Sequence, residues 1–285
     1  MTLDPGVLLL VLLAAVLHAS WNALIKAGGD HLVVTAIIMF VPIPPAIAIV
    51  LLQPAMAAAA WPYVILSAVV HWIYFGVLIG AYRYGDFSQV YPIARGSAPA
   101  MVAFEAWIFE GEALSATETL GALIVSAGIV SLAWRRRGGA VPTHEPKAIA
   151  FALLTALTIA IYLLADGMGG RRSGDPLVYV CWLFILQGLP LAAVTLWRRR
   201  GRLAESLRPN LTQGILGGAI ACVSYGIAVW AMSVAPLAHV VAVRETSVLF
   251  GAALGALVLK EPFGRYRILA SAVVAAGAVL LNLGR

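Results

Sequence analysis

Ten apolar runs, each close to the length needed to cross a bilayer, follow one another along this chain with only short polar interruptions. They lie near 3–25, 32–52, 61–83, 87–109, 114–134, 148–168, 176–197, 211–233, 236–259 and 265–283. A transmembrane helix needs ~20 mostly apolar residues, and in lipid each segment must satisfy its own backbone N–H and C=O groups. The spacing therefore predicts an all-α integral membrane protein of ten transmembrane helices. Hydrophobic residues make up 62% of the chain and charged residues 11%, against about 45–50% and about 25% in soluble domains. No stretch remains for a separate soluble domain, so function is sought within the membrane. Gly28-Gly29, Gln53-Pro54, Gly85-Asp86, Gly138-Gly139 and Gly174-Asp175-Pro176 punctuate the runs. Met1-Thr2-Leu3-Asp4 lacks the basic segment of a signal peptide, so the first run is expected to stay in the mature protein.

The net charge of +6 comes largely from Arg135-Arg136-Arg137 and Arg198-Arg199-Arg200-Gly201-Arg202. Each cluster directly follows an apolar run ending in Trp134 or Trp197, which is how topology signals and headgroup contacts are placed. Nucleic-acid binding is not expected. Fourteen Lys and Arg residues fall in the connections after the odd-numbered runs, against Arg171, Arg172 and Arg285 on the other side. The positive-inside rule then puts both termini outside the cytoplasm of a cell inner (plasma) membrane. Cys181 and Cys222 lie within apolar runs and read as small core residues, with no disulfide framework and no metal site.

A shift of 149 residues lays Arg95 on Arg244, Glu112 on Glu261, Leu120 on Leu269 and Ala127-Gly128 on Ala276-Gly277. Arginine and glutamate are scarce in the runs, so those two matches carry the weight. The expected organisation is a five-helix repeat over 1–137, a cytoplasmic linker over 138–147 and a second five-helix repeat over 148–285. Because five is odd, the second repeat enters the membrane inverted. Inverted repeats around a midplane site are the architecture of alternating-access transporters; a duplication kept only for packing is the competing reading.

Tyr91-Pro92-Ile93-Ala94-Arg95-Gly96-Ser97-Ala98-Pro99, with Glu110-Gly111-Glu112, resembles the fourth helix of EamA-domain proteins. Val243-Arg244-Glu245-Thr246-Ser247-Val248-Leu249-Phe250-Gly251, with Leu259-Lys260-Glu261-Pro262-Phe263, resembles the ninth. The resemblance is to the drug/metabolite transporter superfamily, including its YddG-like amino-acid exporters. It implies two EamA units around a central cavity and export of metabolites, amino acids first. Pro92 and Pro99 flank Arg95 differently from the family's single early proline, so the local backbone is expected to differ.

Arg95 and Arg244 each lie about eight residues inside their spans, about 12 Å deep at ~1.5 Å per residue, near the midplane of a ~30 Å core. Charge at that depth costs about 2.5–3.5 kcal/mol and turns to the protein interior. The two arginines are candidates for a substrate carboxylate or phosphate. Arg244 also shares a helical spacing with Gly251 and Gly255, which makes a packing clamp the alternative. Glu245 points about 100° away from Arg244, so it is expected to pair with Arg95 or to titrate in proton coupling. His18, Trp21 and Asn22 share one helix face, as do His71, Tyr74 and Tyr82. These stripes are read as cavity lining or interhelical glue, with Tyr162, Tyr225 and His239 as opposing walls. His18 is a further coupling candidate. Trp61, Tyr63 and Trp107 read as interface anchors.

Other functions find little support. The chain has no Walker A, His-Glu-x-x-His or Gly-x-Ser-x-Gly motif, and no cofactor is expected. Arg83-Tyr84-Gly85-Asp86 superficially resembles intramembrane aspartyl proteases, which need two facing aspartates. The only partner, Asp166, is expected near the outer end of its span. A multidrug exporter of cationic compounds and a non-transporting scaffold or receptor are the alternatives to a metabolite transporter. The expected partners are a small-molecule substrate and the lipid bilayer, with the protein a monomer or weak homo-oligomer.

Overall fold

The computed structural model describes residues 3–27, 30–84, 87–131, 146–257 and 265–283. The described residues form helices joined by short connections, without strands. In chain order the helices are α1 (Pro5–Ala27), α2 (His31–Phe40), α3 (Ile43–Leu52), α4 (Trp61–Tyr84), α5 (Phe87–Glu110), α6 (Ala116–Ser131) and α7 (Pro146–Arg172). They continue as α8 (Pro176–Arg199), the short α9 (Leu203–Leu207), α10 (Leu211–Val234), α11 (Leu237–Glu245), α12 (Ser247–Leu257) and α13 (Arg265–Leu283). Among the described residues six segments are long and apolar enough to cross a membrane by themselves: Pro5–Ile25, Leu32–Leu52, Ala58–Leu78, Pro146–Arg172, Pro176–Arg199 and Leu203–Val234.

Two runs expected to be continuous are broken. The second divides at Val41 and Pro42, where Pro42, Pro44 and Pro45 remove backbone donors from consecutive turns. The ninth divides at Thr246, whose N–H bonds the Val243 carbonyl at 3.1 Å in a tightened turn. Arg244 and Gly251 therefore sit on different helices, and the shared face expected of them does not carry across the break. Conversely, α5 runs unbroken through Pro92 and Pro99. Pro99 has no N–H, so the carbonyl four residues earlier, that of Arg95, loses its helical partner.

Polarity is reversed relative to a water-soluble globule. Leu9, Leu51, Leu52, Phe109 and Trp107 face outward, whereas His18, His71, Arg95, Asp166, Arg244 and Glu245 are buried. Charged groups gather inside and apolar ones outside only where the solvent is lipid. This is a multi-pass membrane protein.

Helix ends sort onto two faces. On one, Arg171 of α7 reaches Glu110 at 3.1 Å and Glu112 at 2.6 Å, and donates to the carbonyls of Met232 and Ala235. Arg172 bonds Glu110 at 2.9 Å, and Glu112 also accepts the N–H of Leu237. On the opposite face Asp30 meets Arg199 at 2.8 Å and takes a backbone bond to Asn210, while Lys147 lies over the Tyr84 ring. Between the faces α1 packs along α10 and against α11 and α12, while α7 packs along α4 and α5. Helices α2 and α3 pack on α8, and α6 crosses α13. At that crossing a side chain on Gly128 would strike Val274, and one on Gly277 would strike the backbone of Val125 and of Gly121.

Candidate functional site

The inward-facing polar residues of α1, α4, α5, α7, α10 and α11 converge on one buried cluster. His18 of α1 lies between the two midplane arginines: Nη2 of Arg95 is 3.4 Å from its Nε2, and Nη2 of Arg244 is 3.5 Å from its Nδ1. A neutral imidazole has one acceptor nitrogen and one N–H, and a protonated one has no acceptor. His18 therefore accepts from one guanidinium at a time, and the other is left facing a donor. An acceptor placed between the two arginines would relieve that conflict.

The arginines differ in their partners. Arg95 lies 2.8 Å from Oε1 of Glu245 in an ion pair, with both side chains nearly free of solvent. Arg244 is 2% exposed and has no acid within ion-pair distance among the described residues. Its Nε and Nη1 are buried without a hydrogen-bond acceptor, and its guanidinium sits 5.2 Å above the ring of Tyr225. A ring face offers a cation about 2 kcal/mol or more when desolvated, but it supplies no acceptor for those N–H groups. Buried donors of this kind are few in folded proteins and call for an explanation.

Aromatic rings continue the cluster. The Trp21 ring meets His18 edge-on at 5.0 Å, and Asn22 donates to the His18 carbonyl at 2.7 Å, as their common face requires. His71 stacks on Tyr162 at 3.9 Å and meets Tyr225 edge-on at 6.3 Å. Nδ1 of His71 lies 2.8 Å from the Ser67 carbonyl, which assigns the N–H to that nitrogen and leaves Nε2 as the acceptor. Tyr74 packs edge-on against Tyr162 at 6.1 Å. The side chain of Tyr82 lies outside the described residues, as does Glu261.

Two sequence expectations are corrected here. Asp166, expected near the outer end of its span, lies inside α7, which continues to Arg172, and it has no solvent exposure. Its carboxylate accepts the hydroxyl of Tyr179 at 3.0 Å and makes a short bond from the hydroxyl of Tyr225. Asp166 and Tyr179 thus belong to the cluster, although the sequence reading did not include them. The missed signal was a lone acid one helical turn beyond Tyr162, since residues four apart share a face. His239, expected as an opposing wall, faces Glu118 at 3.2 Å instead and does not join the cluster. Trp107 is exposed and Trp61 packs on Trp182, away from the cluster.

Among the described residues no group of three or more His, Cys, Asp or Glu side chains converges as a metal site would require. Two surface recesses lie around residues 198–209, away from the cluster.

A buried array of arginines, carboxylates and aromatic rings thus lies inside an otherwise apolar helical bundle. Residues 146–283, just under half of the chain, are similar to the EamA-like transporter family. A solved structure described only as "Crystal structure of protein" superposes with a TM-score of 0.75 over 99% of this chain and 98% of its own. At 17% identity that likeness speaks for the fold alone. None of the curated proteins matches.

Proposed function

We propose that the protein is a secondary transporter moving small metabolites, amino acids first, across the inner membrane by alternating access between two inverted five-helix halves. The observation that carries this reading is Arg244, a buried cation with unpaired N–H groups beside a second arginine and a histidine that cannot serve both. A carboxylate between Arg95 and Arg244 would take those donors in charge-assisted bonds, which are roughly twice as strong as neutral ones. The fixed charges of Arg95, Arg244, Glu245 and Asp166 sum to zero when all four are ionised. A zwitterionic amino acid leaves that balance intact, whereas a cationic drug adds a charge where both acids already have partners.

The packing pattern supports the inverted halves. Exchanging the halves turns α1 on α10 into α7 on α4, and α1 on α11 and α12 into α7 on α5. The same 149-residue shift turns the Gly128–Val274 contact into Gly277–Val125. Glu245 and His18 are the candidates for coupling a proton to this cycle, and export is the direction favoured by the EamA resemblance. The test is flux of a panel of amino acids into and out of proteoliposomes, with and without a pH gradient. Uptake or release of neutral amino acids above empty vesicles is expected. Flux of organic cations alone would transfer the site to the multidrug reading, and no flux of either class would leave a scaffold or receptor.

A further inference from the structure

The end of α8 and the start of α2 enclose a recess of about 580 Å³, lined by Asp30, Arg198, Arg199, Arg200, Arg202 and Ser206. Gly201, at φ +89°, turns the chain back so that Arg200 and Arg202 flank the same space. One wall is fixed. Asp30 accepts Nε of Arg199 at 2.9 Å and Nη2 at 2.8 Å, and its other carboxylate oxygen accepts the N–H of Val33 at the first turn of α2. Its own N–H donates to Asn210. With Arg199 committed to Asp30, three guanidiniums remain on the recess without an acid partner among the described residues. Immediately below, toward the middle of α8, Leu189, Val194, Leu196 and Trp197 are all exposed and apolar. Cationic donors above an uncovered apolar strip match a molecule with an anionic head and hydrocarbon tails.

We propose that this recess binds the phosphodiester headgroup of an anionic phospholipid, whose acyl chains lie along the exposed strip of α8. The phosphate takes Arg198, Arg200 and Arg202 as charge-assisted donors with Ser206 as a neutral one. A basic recess between helices at the membrane surface is the usual form of such a site. The strip favours a lipid over free phosphate, because a soluble oxyanion makes no use of it. Since the recess joins the α1–α2 connection to the end of α8, an occupant ties the first half of the chain to the second at this face.

The experiment uses the full chain purified in a neutral detergent, titrated with phosphatidylglycerol, with phosphatidylcholine, or with inorganic phosphate alone, and read by thermal unfolding and native mass spectrometry. Phosphatidylglycerol is expected to raise the Tm and to be retained over phosphatidylcholine. Each guanidinium near the headgroup is worth about fivefold in affinity, so Arg198→Gln with Arg200→Gln and Arg202→Gln should weaken it more than tenfold. Arg200→Gln alone, about fivefold weaker, serves if the triple variant does not fold. Unchanged phosphatidylglycerol affinity in these variants overturns the site. Equal stabilisation by inorganic phosphate assigns it to a soluble oxyanion and overturns the lipid.

Discussion

Arg95 and Glu245 come from opposite halves of the chain and meet at 2.8 Å with almost no solvent on either side chain. Removing one member of such a pair leaves a buried uncompensated charge, at a cost of about 3–5 kcal/mol. Glu245→Gln is therefore expected to lower the unfolding temperature and folded yield in detergent. Arg95→Gln together with Glu245→Gln should recover part of that loss, because no lone charge remains. Wild-type stability in the single Glu245→Gln variant would make Glu245 a free titrating group instead.

Arg244 should behave differently, because no acid is left behind when its charge is removed. Arg244→Gln is expected to fold and to raise the apparent KM for amino acids tenfold or more, the loss of a charge-assisted pair worth about 1.5–3 kcal/mol. Radiolabelled uptake into proteoliposomes with matched protein content measures it. If the variant is recovered only as aggregate, the arginine is a packing clamp.

Trp21 and His71 approach the arginine pair from two different helices. Trp21→Ala is expected to change the ratio of rates for large and small amino acids more than it changes yield, since one methylene in an apolar contact alters binding by about 1–3 kcal/mol. His71→Ala should slow all substrates by loosening the stacked Tyr162. Competition assays with a size series separate the two outcomes, and a uniform loss in both variants would remove Trp21 from the specificity-determining wall.

Orientation can be read chemically. In a background lacking Cys181 and Cys222, cysteines placed at Arg136 and Arg199 should resist impermeant thiol reagents in intact cells and react after lysis. Rapid labelling of both before lysis would invert the topology.

The ion cluster of Arg171 and Arg172 with Glu110 and Glu112 fastens α5 to α7 and to the α10–α11 connection. Its partners span both halves, and in the proposed cycle it would close this face. Arg171→Gln should increase alkylation of a cysteine placed at Trp21 from the side of that cluster, by severalfold in vesicles of known orientation. Alkylation at the wild-type rate would show that the cluster is structural and does not gate.

Much of the buried cluster was legible because charge is conspicuous in an apolar chain. Arg95, Arg244, Glu245 and His18 stood out as costly residues that had to turn inside, and helical spacing put Trp21 on the face of His18, with which its ring makes contact. What escaped were features that depend on where a helix ends. Asp166 looked peripheral because the apolar run fades at about residue 168, yet α7 continues through Arg172, drawn on by pairing with Glu110 and Glu112. Hydropathy does not register such an extension. The break at Thr246 carries no proline or glycine and is invisible to sequence punctuation. The break at Val41–Pro42 did have a signal, three prolines within four residues, which the continuous hydrophobicity of Ile43–Leu52 concealed.

The crossing of α6 and α13 has a mechanical consequence. At Gly121 and Gly277 main chain approaches main chain, and Gly128 leaves room only for the Val273 and Val274 side chains. A joint built from backbone resists translation but permits a small change of angle, as a pin does in a pair of shears. Were the two halves to swing open at alternate ends, as the proposed cycle requires, this contact would stay in place through the stroke as an axle does.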